Sequence, residues 1–139
     1  QVVVPLYVSH ADGDGTVVVP GTVTTDAPTA IEIGSSGRFA WVSTSDGLNG
    51  GELQLYDIAE NGSLVNAAAG DFTPRAIYSD VADPVAITSD SNERFLYVLN
   101  KSTELISVWQ INASDGTLTK HSEILTGADP ESIYLNERF

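Results

Sequence analysis

The chain reads as an all-β protein built from repeated four-stranded units, and three observations carry that reading. Alternating β-branched and aromatic stretches fill the sequence, while helical periodicity is nearly absent. Gly, Asp, Asn and Pro break those stretches at short intervals. The stretches also recur. Asp83-Pro84-Val85-Ala86-Ile87 is echoed by Ala27-Pro28-Thr29-Ala30-Ile31 and by Asp129-Pro130-Glu131-Ser132-Ile133. A turn follows each, then Arg38-Phe39, Arg94-Phe95 and Arg138-Phe139, at offsets of 56 and 44 residues. The segments Phe39-Ala40-Trp41-Val42, Phe95-Leu96-Tyr97-Val98 and Leu6-Tyr7-Val8 form a further matching set.

Each unit is expected to hold four strands. In the clearest one, strand A runs from Val85 to Thr88, strand B from Phe95 to Leu99, strand C from Leu105 to Ile111 and strand D from Thr117 to Ile124. Pro84 stands at the head of strand A, where a ladder donor is not required. The A–B turn is Ser89 to Glu93, matching Gly34-Ser35-Ser36-Gly37. The C–D turn carries Asp115-Gly116, matching Asn61-Gly62, and both dipeptides tolerate positive φ. Four short strands recurring every ~45 residues is the arithmetic of a β-propeller blade. The predicted division is a partial unit over residues 1–26, full units over 27–82 and 83–128, and a partial unit over 129–139. That is about three blades' worth of an antiparallel ring of six to eight. Propeller sheets pack on both faces, which explains why Phe95-Leu96-Tyr97-Val98-Leu99 is apolar throughout. Tyr7, Trp41 and Tyr97 hold one repeat position and are expected to fill the space between sheets.

Composition narrows the function. Among 139 residues, 19 are acidic and 6 are Lys or Arg, for a net charge of −13. A polyanion repels phosphate backbones and anionic lipid, so nucleic acid is not an expected partner. No apolar run approaches the ~18 residues of a membrane span. The chain contains no Cys, which excludes disulfides and thiolate chemistry. It also contains no Met, even at position 1, as expected of a processed product or an internal piece.

The stretch from Asp83 to Leu118 resembles the lactonase-type β-propeller repeats, in the broad seven-bladed group that includes 6-phosphogluconolactonases and carboxymuconate cyclases. The likeness extends over about Pro28 to Phe139, and YVTN-type propellers share nearly the same repeat. Two departures stand out: Ala67 to Ala82 is longer than a plain strand D and connection, and the first unit, Leu6 to Val23, is short. The resemblance implies a hydrolase of small cyclic esters or sugar-acid lactones, able to use a divalent cation such as Ca or Mg. The matching positions are turns and core, so no catalytic residue carries over. The competing expectation is a non-catalytic surface propeller that binds a protein or glycan partner. Three blades cannot close a ring, which needs at least ~4. The remaining blades are therefore expected from a longer chain or from a homo-oligomer.

Propeller sites lie on the face that carries the D–A and B–C loops. On this register that face offers His10, Asp12 and Asp14, then Ser45 and Asp46, then Asn100, Lys101 and Ser102. The D–A connections add Asp26, Tyr78, Asp80, Asp83, Asp129 and Glu131. The candidate catalytic residues are Glu131, His10 and Asp83, a carboxylate and His set able to activate water. Glu131 stands out because it occupies the position of Val85 and Thr29, beside the expected central channel. The alternative is a solvated acidic rim. Asp12-Gly13-Asp14-Gly15 makes Asp12 and Asp14 candidate ligands for a divalent cation, yet the further ligands of a calcium loop do not follow, and a tight turn is the competing account. His121 is expected on the surface of strand D. Asn61-Gly62-Ser63, Asn100-Lys101-Ser102 and Asn112-Ala113-Ser114 are candidate glycosylation acceptors at Asn61, Asn100 and Asn112. With the acidic charge and the lack of Cys, they point to a secreted, periplasmic or cell-envelope protein.

Overall fold

The computed structural model describes residues 2–3, 23–24, 27–64 and 73–136. Among these there is no helix; every regular element is a strand. A short antiparallel pair joins β1 (Val2–Val3) to β2 (Val23–Thr24). The expected strand around Leu6-Tyr7-Val8 lies outside the described residues.

Two four-stranded antiparallel sheets follow, each with its strands in chain order. The first holds β3 (Ala27–Ile33), β4 (Phe39–Ser45), β5 (Gly51–Asp57) and β6 (Ala76–Tyr78). The second holds β7 (Pro84–Ser89), β8 (Phe95–Asn100), β9 (Leu105–Ile111) and β10 (Leu118–Leu125). These are the expected blades, with A, B, C and D as neighbours. Strand C of the second matches its expected bounds, and the other three differ by a residue or two at their ends.

Local chemistry accounts for the details. Pro28 and Pro84 both sit where the register between strands A and B slips by a residue, so the missing N–H interrupts no ladder. In the C–D turns only the glycine of each dipeptide takes a left-handed φ, 82° at Gly62 and 73° at Gly116. Ala59 N–H bonds Ser63 O and Asn112 N–H bonds Thr117 O, so these loops are longer than a two-residue hairpin. The first blade departs most at strand D. An isolated bridge joins Ile58 to Leu64, and β6 is three residues long, paired with Leu53 to Leu55. Of the long stretch from Ala67 to Ala82, residues 67–72 lie outside the described residues.

Cross-strand partners share a face of a sheet. The face of the first blade that meets the second carries Phe39, Trp41, Leu53 and Leu55, and the answering face carries Ile87, Leu96, Val98, Trp109, Ile111 and Leu118. Trp41 is fully buried in that seam, and its indole N–H donates to Gly116 O at 3.0 Å. The repeat equivalents of Leu96 and Val98 in the first blade, Ala40 and Val42, lie on its other face. Successive blades thus stack front to back, the Trp41 face of the first on the Leu96 face of the second. The first blade's other face also holds Ile31, Ile33 and Ile77, all exposed.

Carboxylates close the seam from both sides. Glu93, 6% exposed, accepts from Ser36 N at 2.7 Å and Ser36 Oγ at 2.8 Å. Glu32 accepts from Ser89 N at 2.8 Å and Ser89 Oγ at 2.6 Å. Gly34 is glycine for a matching reason: a Cβ there would strike the Glu93 carboxylate. The seam fixes how the blade ends line up, and so sets the rim on which a site can form.

Candidate functional site

The rim formed by the D–A and B–C loops is built around Asp83. This residue has φ of 49°, in the left-handed region, directly before Pro84. A following proline already narrows the backbone choices of its predecessor, so that conformation must be held from outside. Three contacts hold it. Ser45 Oγ of the first blade donates to Asp83 Oδ1 at 2.8 Å. Lys101 N donates to Asp83 O at 3.0 Å. Ala82 N donates to Asn100 Oδ1 at 3.0 Å.

Lys101 follows Asn100 at the end of the buried strand β8. Its ammonium meets Asp129 Oδ1 at 3.0 Å. The hydrogen bond and charge of Asp129 hold Lys101 above the ordinary lysine range, and the carboxylates of Glu131 and Asp83 add to this. Asp129 repeats the geometry of Asp83, with φ of 54° before Pro130. The rim therefore carries one ammonium among three carboxylates drawn from two D–A connections and a B–C loop. Such a group can stabilise a developing oxyanion and take a proton from water.

Of the expected catalytic residues, Asp83 and Glu131 both come to this rim, and both bear electrostatically on Lys101. Glu131 is exposed and Asp83 half-buried. His10, Asp12 and Asp14 lie outside the described residues. Among the described residues, no group of three or more His, Asp or Glu side chains is arranged to hold a metal ion. Tyr78, expected on this face, instead ends β6 in the seam, where its hydroxyl accepts from Leu118 N and its ring meets Trp109 edge-on. His121 is exposed on β10, stacked obliquely near Phe95.

Lys101 and Asp129 stood among the rim residues but carried no role in the sequence. The signal was available: Lys101 is the only cation that the B–C loops after β4 and β8 contain. The described arginines sit at the other end of the blades. Arg38 donates to Ala113 O and lies over the Phe39 ring, Arg75 pairs with Asp57, and Arg94 pairs with Asp90.

The three glycosylation candidates separate sharply. Asn100 is 3% exposed. Its Nδ2 donates to Val98 O at 3.1 Å and Ser107 Oγ at 2.9 Å, so the nitrogen that would carry a glycan is committed to the interior. That placement argues against Asn100 as an acceptor. Asn61 and Asn112 are exposed at the C–D turns, at the end opposite the rim. Each Oδ1 accepts from the N–H and Oγ of the serine two residues on, and Asp115 makes the same pair of bonds with Thr117. The Asn-x-Ser pattern thus also serves as a turn device.

Residues 50–138, well over half of the chain, match the family described as lactonase, seven-bladed β-propeller. The chain belongs to that family. Solved structures agree on the fold. A candidate 6-phosphogluconolactonase from Bacteroides fragilis is similar with a TM-score of 0.66 and 18% identity, over 84% of this chain and 32% of that one. A periplasmic gluconolactonase from Pseudomonas aeruginosa is similar with a TM-score of 0.62 and 16% identity, over 90% of this chain and 36% of that one. A protein of unknown function from Desulfotomaculum acetoxidans is similar with a TM-score of 0.61 and 19% identity, over 88% of this chain and 34% of that one. The chain spans about a third of the length of these structures. No curated protein matches it by sequence. Among the described residues, no helix of this lactonase-family chain is long and apolar enough to cross a membrane.

Proposed function

We propose that this chain forms part of a propeller that hydrolyses small lactones, cyclic esters of sugar-acid type, at the rim bearing Asp83, Lys101, Asp129 and Glu131. Membership of the lactonase family supports the reaction class. The observation that carries the assignment to this rim is the Lys101 ammonium, held by Asp129 beside the charges of Glu131 and Asp83. Glu131 takes a proton from water as the water oxygen bonds to the lactone carbonyl carbon. Charge gathers on the carbonyl oxygen beside Lys101 Nζ. The ring C–O bond then breaks, the ring oxygen takes the proton, and an open hydroxy acid leaves. Asp129 orients Lys101 and keeps it cationic.

The test is acid release from a panel of lactones by the full-length protein. Glu131→Gln and Lys101→Met should each lower kcat/KM by about 100-fold, the size expected for a general base or an oxyanion partner. Full activity in both variants would remove this rim from the reaction.

A secreted or cell-envelope location is the companion proposal. The exposed Asn61 and Asn112 and the similarity to a protein named as periplasmic support it.

A further inference from the structure

We infer that Asn100 is a positioning residue for this rim, clamping the loop that presents Lys101 to the connection that presents Asp83. The inference rests on the lactone-hydrolysing reading above. It begins with the amide's orientation. Asn100 Oδ1 faces one backbone donor, Ala82 N at 3.0 Å, while Nδ2 faces the acceptors Val98 O, Ser107 Oγ and Leu105 O at 3.1, 2.9 and 3.4 Å. The carbonyls and the N–H allow only that way round. Asn100 is 3% exposed; its bonds to Val98 O and Ser107 Oγ are fully buried, and those to Ala82 N and Leu105 O are partly buried.

The clamp lies one residue from each functional group. Ala82 precedes Asp83 and Asn100 precedes Lys101, and between them Lys101 N bonds Asp83 O at 3.0 Å. Two bonds, one donated from each loop, therefore join adjacent residues and fix their spacing. They also hold Asp83 at φ of 49° ahead of a proline. Without the Asn100 oxygen, Ala82 N–H loses its tie to β8 and the connection is free to relax to an ordinary backbone conformation. Asp83 then swings away from Lys101 and from Ser45. Asn100 touches no substrate in this scheme; it acts through its neighbours.

Three variants of the full-length protein test this. Asn100→Ala should lower kcat about tenfold or more with little change in KM, as a misplaced catalytic pair requires. The Ala82 amide should exchange with solvent about tenfold faster, while amides of β9 keep their protection. Asn100→Asp keeps an oxygen for Ala82, but its ionised form sets a carboxylate against the Val98 and Leu105 carbonyls. Its activity should approach wild type at acid pH and fall as pH rises, a limb that wild type lacks. Ser107→Ala removes a partner of Asn100 without touching Ala82, so it should cost stability and leave kcat within about twofold. An Asn100→Ala protein with wild-type kcat and pH profile overturns the inference, as does unchanged Ala82 exchange. A wild type that opens no lactone overturns the reaction assignment alone. The clamp is then decided by Ala82 exchange in Asn100→Ala, which, if unchanged, overturns the positioning role.

Discussion

The two blades share strands A and B and the A–B turn position by position, yet differ in the polar groups behind them. Counting from Arg38 and Arg94, Thr44 of the first blade corresponds to Asn100 of the second, Gly34 to Asp90, and Gly37 to Glu93. Asn100 has several partners, whereas Thr44, 1% exposed, has an Oγ1 with no partner among the described residues. Asp90 is buried and caps its own A–B turn, accepting from Arg94 N at 2.6 Å and Phe95 N at 2.7 Å. Gly34 makes the same backbone turn with no side chain, and Glu93 of the second blade occupies the space. The repeat therefore specifies the sheet, while the carboxylates at the seam are asymmetric. At Glu93 the second blade supplies the side chain and the first the room for it, whereas at Glu32 the first blade supplies the carboxylate to Ser89 of the second.

The largest effect should come from the shared aromatic position. Trp41→Ala removes a fully buried indole and should cost about 3–5 kcal/mol in denaturant titration. Trp41→Phe, which leaves Gly116 O without its donor, should cost about 1–2 kcal/mol. Equal losses would mean that the hydrogen bond, not the packing, holds the seam.

Gly34→Ala comes next, at about 1–3 kcal/mol, because its methyl group meets the Glu93 carboxylate. The cost should shrink when Glu93→Ala is also present. Additive losses in that double-mutant cycle would break the idea that Gly34 exists to admit Glu93.

Asp90 should matter at neutral pH and cease to matter in acid. Burial opposes its ionisation, but the N–H groups of Phe95 and Arg94 and the Arg94 guanidinium outweigh burial and hold the carboxyl below the usual range. A folded pKa lower than the unfolded one gives stability that is present above the unfolded value, near 3.8, and lost as pH falls through the folded one. Melting temperatures of Asp90→Asn should therefore be lower than wild type at neutral pH and converge with it below that window. Parallel melting curves down to low pH would remove this role.

The smallest effect belongs to Thr44. Thr44→Val deletes an unpartnered buried hydroxyl and should be neutral or stabilising by up to about 1 kcal/mol. A clear loss would reveal a partner for Oγ1.

Strands were legible because alternation and turn chemistry act over a few residues. Phe95 to Asn100 announces a strand buried on both faces, and Gly62 and Gly116 announce their turns. Asn100 shows where a sequence motif stops being informative. A three-residue acceptor pattern says nothing about burial, and burial here depends on Ala82, Ser107 and the neighbouring sheet. The rim was legible as a set of loops, which is how Asp83 and Glu131 could be named. That Lys101 would meet Asp129 was not.

Repeat spacing and alternating polarity, both short-range properties of the chain, sufficed for the propeller blade, its strand order and the end that carries the candidate site. The pairs that join blades came only from packing. Glu93 finds Ser36, and Glu32 finds Ser89, each across 57 residues. Each carboxylate could bond any nearby N–H or O–H group, and which one it meets depends on how one sheet twists and seats against the next.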